Sequence, residues 1–182
     1  MSGQDRRRWD ERHTVRGAPD PDDVGPPQLF ALHAAQFPTA GSALEIACGQ
    51  GEASVWLARR GLDVVGLDIS PVAIRRAGEL AGLCGVADRC RFGVVDLDRG
   101  LPAGPAVDVV VCHRFFDSRL NRALAQRLAP GGLLAIAALS GGRFGVSAGE
   151  LRAAFAGLEV IAEGAQQGTV WLLARSRRAT PG

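Results

Sequence analysis

The stretch Ala43-Leu-Glu-Ile-Ala-Cys-Gly-Gln-Gly51 decides how the rest of the chain is read. Ala43 to Ala47 has the character of a short buried strand. Two glycines follow within four residues, where the backbone can turn sharply or approach a ligand closely with no Cβ in the way. After Gly51 the texture is helical as far as Arg59-Arg60-Gly61, with cations in the last turn and glycine where helices end. Strand, glycine loop and helix form the opening unit of a parallel α/β fold.

The alternation continues outward. Asp63 to Asp68 reads as a second strand, and Ser70-Pro71 opens a helix with an N-cap residue and a proline at its first position. Cys90 to Val95 is a third strand. The eleven residues from Asp96 to Ala106 are too short and too rich in Gly and Pro for a long crossover helix. Val107 to Cys112 is a fourth strand, Leu120 to Leu128 a helix stopped by Ala129-Pro-Gly-Gly132, and Leu133 to Leu139 a fifth strand, apolar throughout as a central parallel strand is. A helix near Ser147 to Phe155 precedes two strands, Leu158 to Ala162 and Thr169 to Ala174, close enough to pair as an antiparallel hairpin. The expected fold is α/β: a doubly wound, Rossmann-like, seven-stranded, mainly parallel sheet with a C-terminal antiparallel hairpin. It spans residues 27–175, after a polar, Gly- and Pro-rich flexible arm (1–26) and before a tail (176–182).

Composition narrows the chemistry. The 182 residues hold 21 basic side chains, every one arginine, and no tyrosine. Schiff-base chemistry, a phosphate-binding lysine of the Walker type and a tyrosine acid or base are therefore excluded. The net charge of +2 is unevenly spread. Residues 1–17 and 175–182 are basic, whereas residues 18–174, with 13 arginines against 16 acids, sum to −3. A basic face for nucleic acid is thus not expected on the folded body. The four cysteines show no zinc-type spacing, no apolar leader opens the chain, and no apolar run approaches membrane-spanning length. These features point to a cytoplasmic protein with no membrane or nucleic-acid partner and no metal site.

The glycine loop departs from the dinucleotide fingerprint G-x-G-x-x-G: Ala47 stands at its first glycine and Glu52 at its third. Glu45, inside the first strand, would repel a pyrophosphate and attract a cation. Asp68, ending the second strand, suits two ribose hydroxyls, and Asp96, after the third, suits an exocyclic amine. Acids at three strand ends point to a ligand without phosphate and with some positive charge.

In order and spacing, Glu45-x-Ala-Cys-Gly-x-Gly51, Gly66-Leu-Asp-Ile-Ser70-Pro71, Val95-Asp-Leu-Asp98 and Leu128-Ala-Pro-Gly-Gly132 resemble class I S-adenosylmethionine-dependent methyltransferases. Arg8-Trp-Asp-Glu-Arg-His13 and Gly149-Glu-Leu-Arg-Ala-Ala-Phe155 resemble more narrowly the small bacterial branch that includes tellurite-resistance and small-thiol methyltransferases. The resemblance implies S-adenosyl-L-methionine as cofactor. Glu45 and the loop Ala47, Cys48, Gly49 and Gly51 would hold its methionine part, Asp68 and Ile69 its ribose and adenine, and Asp96 with the Leu97 N–H the adenine edge. Cys112 would lie beside it, with Trp9 and His13 folding over it. His13 stands where this branch more often has an aromatic residue.

Methyl transfer asks the protein for orientation, desolvation and electrostatics, so no covalent nucleophile is required. Cys112-His-Arg-Phe-Phe-Asp117, after the fourth strand, is expected to line the mouth facing the methyl group. His113 would act as general base or orienting group and Arg114 as a clamp for an anionic acceptor. Each has a structural rival: His113 bonding the loop, Arg114 paired with Asp117, Glu45 satisfied by helix N–H groups, Cys48 and Cys112 as small buried residues and not soft-metal ligands. No inserted substrate domain follows the fifth strand, which points to a small-molecule acceptor. A non-catalytic cofactor-binding regulatory or scaffold domain of the same fold is the alternative. Oligomeric state is not encoded in any of these signals.

Overall fold

The computed structural model describes residues 3–141 and 145–178. Its sheet has seven strands: β1 (Gly41–Ile46), β2 (Leu62–Asp68), β3 (Cys90–Val94), β4 (Val107–His113), β5 (Leu128–Leu139), β6 (Glu159–Gln166) and β7 (Thr169–Arg175). They lie in the order β3-β2-β1-β4-β5-β7-β6, parallel from β3 to β5, with β7 antiparallel to both β5 and β6. The strand order reverses between β1 and β4, and in open α/β sheets a crevice forms at the carboxyl ends of the strands beside such a point.

Period-two alternation explains why the central strands are apolar on both faces. Leu44 and Ile46 of β1, Val110 and Cys112 of β4, and Leu134 and Ile136 of β5 enter one core. Their neighbours Ala43, Val109, Val111, Leu133 and Ala135 enter the other. The first core is closed by Leu124 of α4 (Asn121–Arg127) and by Leu151 of α5 (Ala148–Ala154), with Phe155 just beyond. The second is closed by Trp56 and Leu57 of α2 (Glu52–Arg59) and by Phe30 from a 3₁₀ segment, Gln28–Gln36. Edge-on aromatic contacts, Phe37 to Trp56 at 5.1 Å and Phe30 to Trp171 at 5.8 Å between ring centroids, lock that segment to the sheet. Helix α3 (Pro71–Leu83) starts as its sequence predicts, the Ser70 hydroxyl accepting the Ala73 N–H at 3.1 Å. Helix α5 opens on a capping box between Ser147 and Glu150.

Two expectations are corrected. The arm over residues 1–26 is not irregular throughout: Gly3–Arg16 is an α-helix, α1, held from outside by bonds to residues 36 to 63 positions away, which no local signal announces. Strand β5 begins at Leu128, not Leu133, because Leu128 pairs with Val107 before Ala129-Pro-Gly-Gly132 bulges out and pairing resumes at Leu133. The start of the tail is anchored, Ser176 donating its N–H to the Gly132 carbonyl at 2.8 Å and its hydroxyl to Ala129 at 2.5 Å; residues 179–182 lie outside the described residues. Among the described residues no helix is long and apolar enough to cross a membrane.

Candidate functional site

The loop between β1 and α2 owes its shape to backbone conformation. Ala47, Gly49 and Gly51 all have positive φ, 51°, 54° and 82°. At Gly51 a Cβ would lie 2.7 Å from the Ala77 methyl of α3, so only glycine lets the loop sit that close to the helix. At Gly49 nothing comes closer than His13 Cε1, 3.5 Å from where a Cβ would be. Across the switch point Arg114, after β4, is also left-handed at φ 62°, its N–H donating to the Ala137 carbonyl at 2.8 Å. Two non-glycine residues, Ala47 and Arg114, thus take a left-handed conformation just past the carboxyl ends of the neighbouring strands β1 and β4.

Two carboxylates flank the loop. Glu45 is 3% exposed and accepts the Ser54 hydroxyl at 2.5 Å, and burial pushes its carboxyl up to about 8. Asp68 is also buried; its Oδ2 takes the Gly49 N–H and its Oδ1 the Ser70 N–H, both at 2.9 Å. Each carboxylate oxygen accepts two hydrogen bonds, so Asp68 keeps capacity for two more. Cys48 is buried in the same loop against Gly66, and burial first, then the charges of Glu45 and Asp68, raise its thiol well above the usual range. Ile69 is buried beside them. The loop is thus closely bounded by groups suited to a cation and to hydroxyl donors.

Helix α1 lies over this loop. His13 is buried, its Nδ1 has no hydrogen-bond partner among the described residues, and burial holds its pKa below 6.5 against the opposing pull of Asp68. The C-terminal end of the helix is clasped from the glycine loop and from α3. Gln50 Nε2 donates to Gly17 O at 3.0 Å, and Arg76 Nη1 donates to Gly17 O at 2.7 Å and also to His13 O. Ser70 bonds Asp10 through its hydroxyl, and Arg16 meets Glu52 at 2.7 Å. Sequence reasoning named His13 and Trp9 but missed this clasp; a glutamine inside the glycine loop was its only local trace.

Trp9, one turn before His13 and 6.1 Å from it between ring centroids, forms part of a cleft of about 820 Å³. The other walls come from Asp98 after β3, Phe115 and Phe116 after β4, Asn121 of α4 and Val146 after β5. The lining starts one residue past Arg114. His113 ends β4 opposite Ala137, half-buried, and burial and then Arg114 hold its imidazole below 6.5. Arg114 is exposed and does not pair with Asp117, which is held by Arg119 at 2.6 Å. Cys112 is buried with its Sγ donating to the Phe115 carbonyl at 3.0 Å. Asp96 caps a 3₁₀ turn by accepting the Asp98 N–H, and the Leu97 side chain is sunk in the core. Of the expected site residues, Glu45, Ala47, Cys48, Gly49, Gly51, Asp68 and His13 come together around the loop, Trp9 joins the cleft, and Asp96 and Leu97 stand at the β3 side. Among the described residues no cluster of His, Cys, Asp or Glu is spaced to hold a metal ion.

Comparison with known proteins gives the following. Residues 44–134, half of the chain, match the family described as "Methyltransferase domain". A ribosomal RNA small subunit methyltransferase C from Alcanivorax borkumensis is 33% identical over 94 residues, 52% of this chain and 28% of that protein. TehB from Haemophilus influenzae superposes with a TM-score of 0.72 at 17% identity, over 80% of this chain and 61% of its own. Magnesium protoporphyrin IX methyltransferase from Synechocystis PCC 6803, solved with bound SAH, gives 0.66 at 18% identity over 95% and 85%. The chain thus spans just over a quarter of the RNA methyltransferase and about three fifths of TehB.

Proposed function

Because the chain belongs to the methyltransferase-domain family, and has the mainly parallel seven-stranded sheet of the class I S-adenosylmethionine-dependent enzymes, we propose that it transfers a methyl group from S-adenosylmethionine to a small-molecule acceptor. The observation that carries this reading is the adjacency of two environments at one sheet edge: a carboxylate-flanked glycine loop and an aromatic cleft. The cofactor fits the loop on three counts. The buried His13 Nδ1 has no hydrogen-bond partner among the described residues, the Gly49 backbone meets only the His13 ring of the helix that would close over a ligand, and the acidic groups at the loop are the buried Glu45 and Asp68.

Glu45 would take the ammonium of the methionine part, with the backbone of Ala47, Cys48, Gly49 and Gly51 around it. The two unused acceptor positions of Asp68 would take the ribose hydroxyls, Ile69 would pack on the adenine, and Asp96 with the Leu97 N–H would meet its edge. Cys112 would border the site as a neutral thiol, since burial raises it far from ionisation. When bound, the cofactor supplies a sulfonium methyl carbon open to in-line attack. His113, neutral at pH 7 because its pKa is lowered, would accept the proton that an O–H or N–H acceptor releases, at one ring nitrogen. Arg114 would hold an anionic group of the acceptor. Helix α1, with Trp9 and His13, would exclude water from the loop as a lid on the domain at residues 27–175.

The cleft volume suits a small ligand. The excess of acids over residues 18–174 supports the same reading over a polynucleotide partner. Free cysteines suit a reducing, cytoplasmic setting. Isothermal titration with S-adenosylmethionine, S-adenosylhomocysteine and NAD tests the cofactor: the two sulfur ligands bind and NAD does not. Failure of both sulfur ligands to bind refutes the proposal. Transfer of labelled methyl to a panel of phenols, thiols and amines then separates catalysis from mere binding.

A further inference from the structure

Helix α1 has little apolar reason to stay on the domain. Among its described side chains only His13 is buried, and Val15 is 88% exposed. A polar helix of this length is marginal on its own in water, so polar contacts have to hold it. The ion pair of Arg16 with Glu52 lies between partly exposed side chains and contributes little. Asp10 ties the middle of the helix to Ser70.

The remaining contacts gather at the last turn. Carbonyls there have no partner within their own helix, and those of His13 and Gly17 meet two donors from outside. Gln50 Nε2 reaches Gly17 O at 3.0 Å and His13 O at 3.4 Å, and Arg76 Nη1 bonds the same two oxygens. The guanidinium also meets the negative end of the helix dipole.

Gln50 is 0% exposed, and its Oε1 has no hydrogen-bond partner among the described residues. Burying an amide oxygen unpaired is costly, and the side chain's gain is the pair of bonds from Nε2 to α1. Its backbone belongs to the glycine loop. The Gly49 N–H before it is held by Asp68 Oδ2 at 2.9 Å, and the Gly51 N–H after it by the Cys48 carbonyl at 3.0 Å. One turn, residues 48–51, thus carries both the loop proposed for the cofactor and the hook for the helix above it.

We propose that Gln50 is a positioning residue: together with Arg76 it latches α1 over the glycine loop, and this latch sets how long a ligand stays in the loop. The identity of the ligand rests on the methyltransferase reading, whereas the latch rests on the bonds from Gln50 and Arg76 to α1. Gln50 acts through the helix and touches no reacting atom. Because α1 must lift before a ligand leaves, loosening the latch speeds dissociation. Association, which needs α1 open, is not slowed.

The test compares the full chain with Gln50→Met, which keeps the length of the side chain and removes its donors. S-adenosylhomocysteine association and dissociation are followed by stopped-flow tryptophan fluorescence, and amide hydrogen exchange is measured without ligand. The variant is expected to release S-adenosylhomocysteine at least about tenfold faster, with association no slower than in the wild type. Arg76→Met does the same, and Arg76→Lys, which keeps an N–H donor, recovers most of the wild-type residence time. In Gln50→Met exchange quickens over α1 and not in β1 or β4, and the melting temperature falls by no more than about 2 °C.

Dissociation at the wild-type rate in either methionine variant overturns the proposal. So does weaker binding that arises from slower association, because Gln50 would then shape the loop and not hold the helix. Exchange that quickens in β1 and β4 as much as in α1 overturns it too, since that is the signature of a merely structural glutamine. A wild type that does not bind S-adenosylhomocysteine refutes the methyltransferase reading, and the latch is then decided by exchange alone: unchanged exchange over α1 in Gln50→Met overturns it.

Discussion

Replacing Glu45 by glutamine is expected to make the ligand-free protein more stable while destroying its grip on the cofactor. The side chain is buried and carries its proton up to about pH 8 in the folded chain, against 4.5 for an unperturbed carboxyl. Below pH 4.5 the folded and unfolded chains both hold this proton, so it contributes no pH dependence there. Between 4.5 and 8 the unfolded chain releases it and the folded chain does not, so stability falls as pH rises through that window and levels off above it. At pH 7 the loss amounts to two and a half pH units at about 1.4 kcal/mol each, about 3 kcal/mol. Glutamine keeps an oxygen to accept the Ser54 hydroxyl and has no proton to lose. Glu45→Gln should therefore melt higher than the wild type at pH 7, by roughly 6–12 °C for a domain of this size, and match it near pH 4.5. Thermal melts of both proteins from pH 4.5 to 8.5 without cofactor check this, followed by titration of S-adenosylhomocysteine. The wild type should bind this ligand more tightly as pH rises toward 8, because its ammonium favours the ionised carboxylate, and the variant should bind at least tenfold more weakly. Parallel melting curves for the two proteins across the pH range would refute the reasoning.

Three further outcomes follow from the same geometry. Asp68→Ala weakens S-adenosylhomocysteine binding more than tenfold, at least about 1.4 kcal/mol, because the ribose acceptors and the anchor for the Gly49 and Ser70 N–H groups disappear together; an unchanged Kd in calorimetry removes Asp68 from the ribose site. His113→Gln lowers kcat by about a hundredfold or more on a phenolic acceptor. It also flattens the acid limb of the pH–rate profile, which in the wild type rises as the imidazole loses its proton below 6.5; a limb that persists in the variant assigns the titration elsewhere. Arg76→Ala, which strips donors from the His13 and Gly17 carbonyls, exposes α1 to limited proteolysis at a rate that saturating S-adenosylhomocysteine slows; cleavage equal to the wild type's shows that other contacts hold the helix.

The parts of the fold that the sequence displays are those whose causes are local. Alternating burial in β1, β4 and β5, the Ser70-Pro71 helix start and the Gln167-Gly168 hairpin turn, both residues at positive φ, are written in a few adjacent residues. Helix α1 is not, because its side chains are polar on nearly every side and its anchors, Gln50, Ser70 and Arg76, are far along the chain. The same holds for the site. Glu45 and Asp68 announce themselves by standing at strand ends next to a glycine loop. Asn121 looks like any residue at a helix start, and only the packed elements around it bury its Oδ1 without a hydrogen-bond partner among the described residues. The Leu128 start of β5 was hidden for a related reason: a Pro-Gly-Gly signal reads as a stop, and only pairing with Val107 shows that the strand continues past it.

Helix α1 presents His13 to the glycine loop and Trp9 to the aromatic-lined cleft, four residues apart on one helix. Two sites that share a wall share an equilibrium: whichever ligand firms the docking of α1 lowers the entropy still to be lost when the second arrives. For a cofactor and an acceptor bound as proposed, linkage makes any such gain reciprocal, each raising the other's affinity by the same factor with no contact between them.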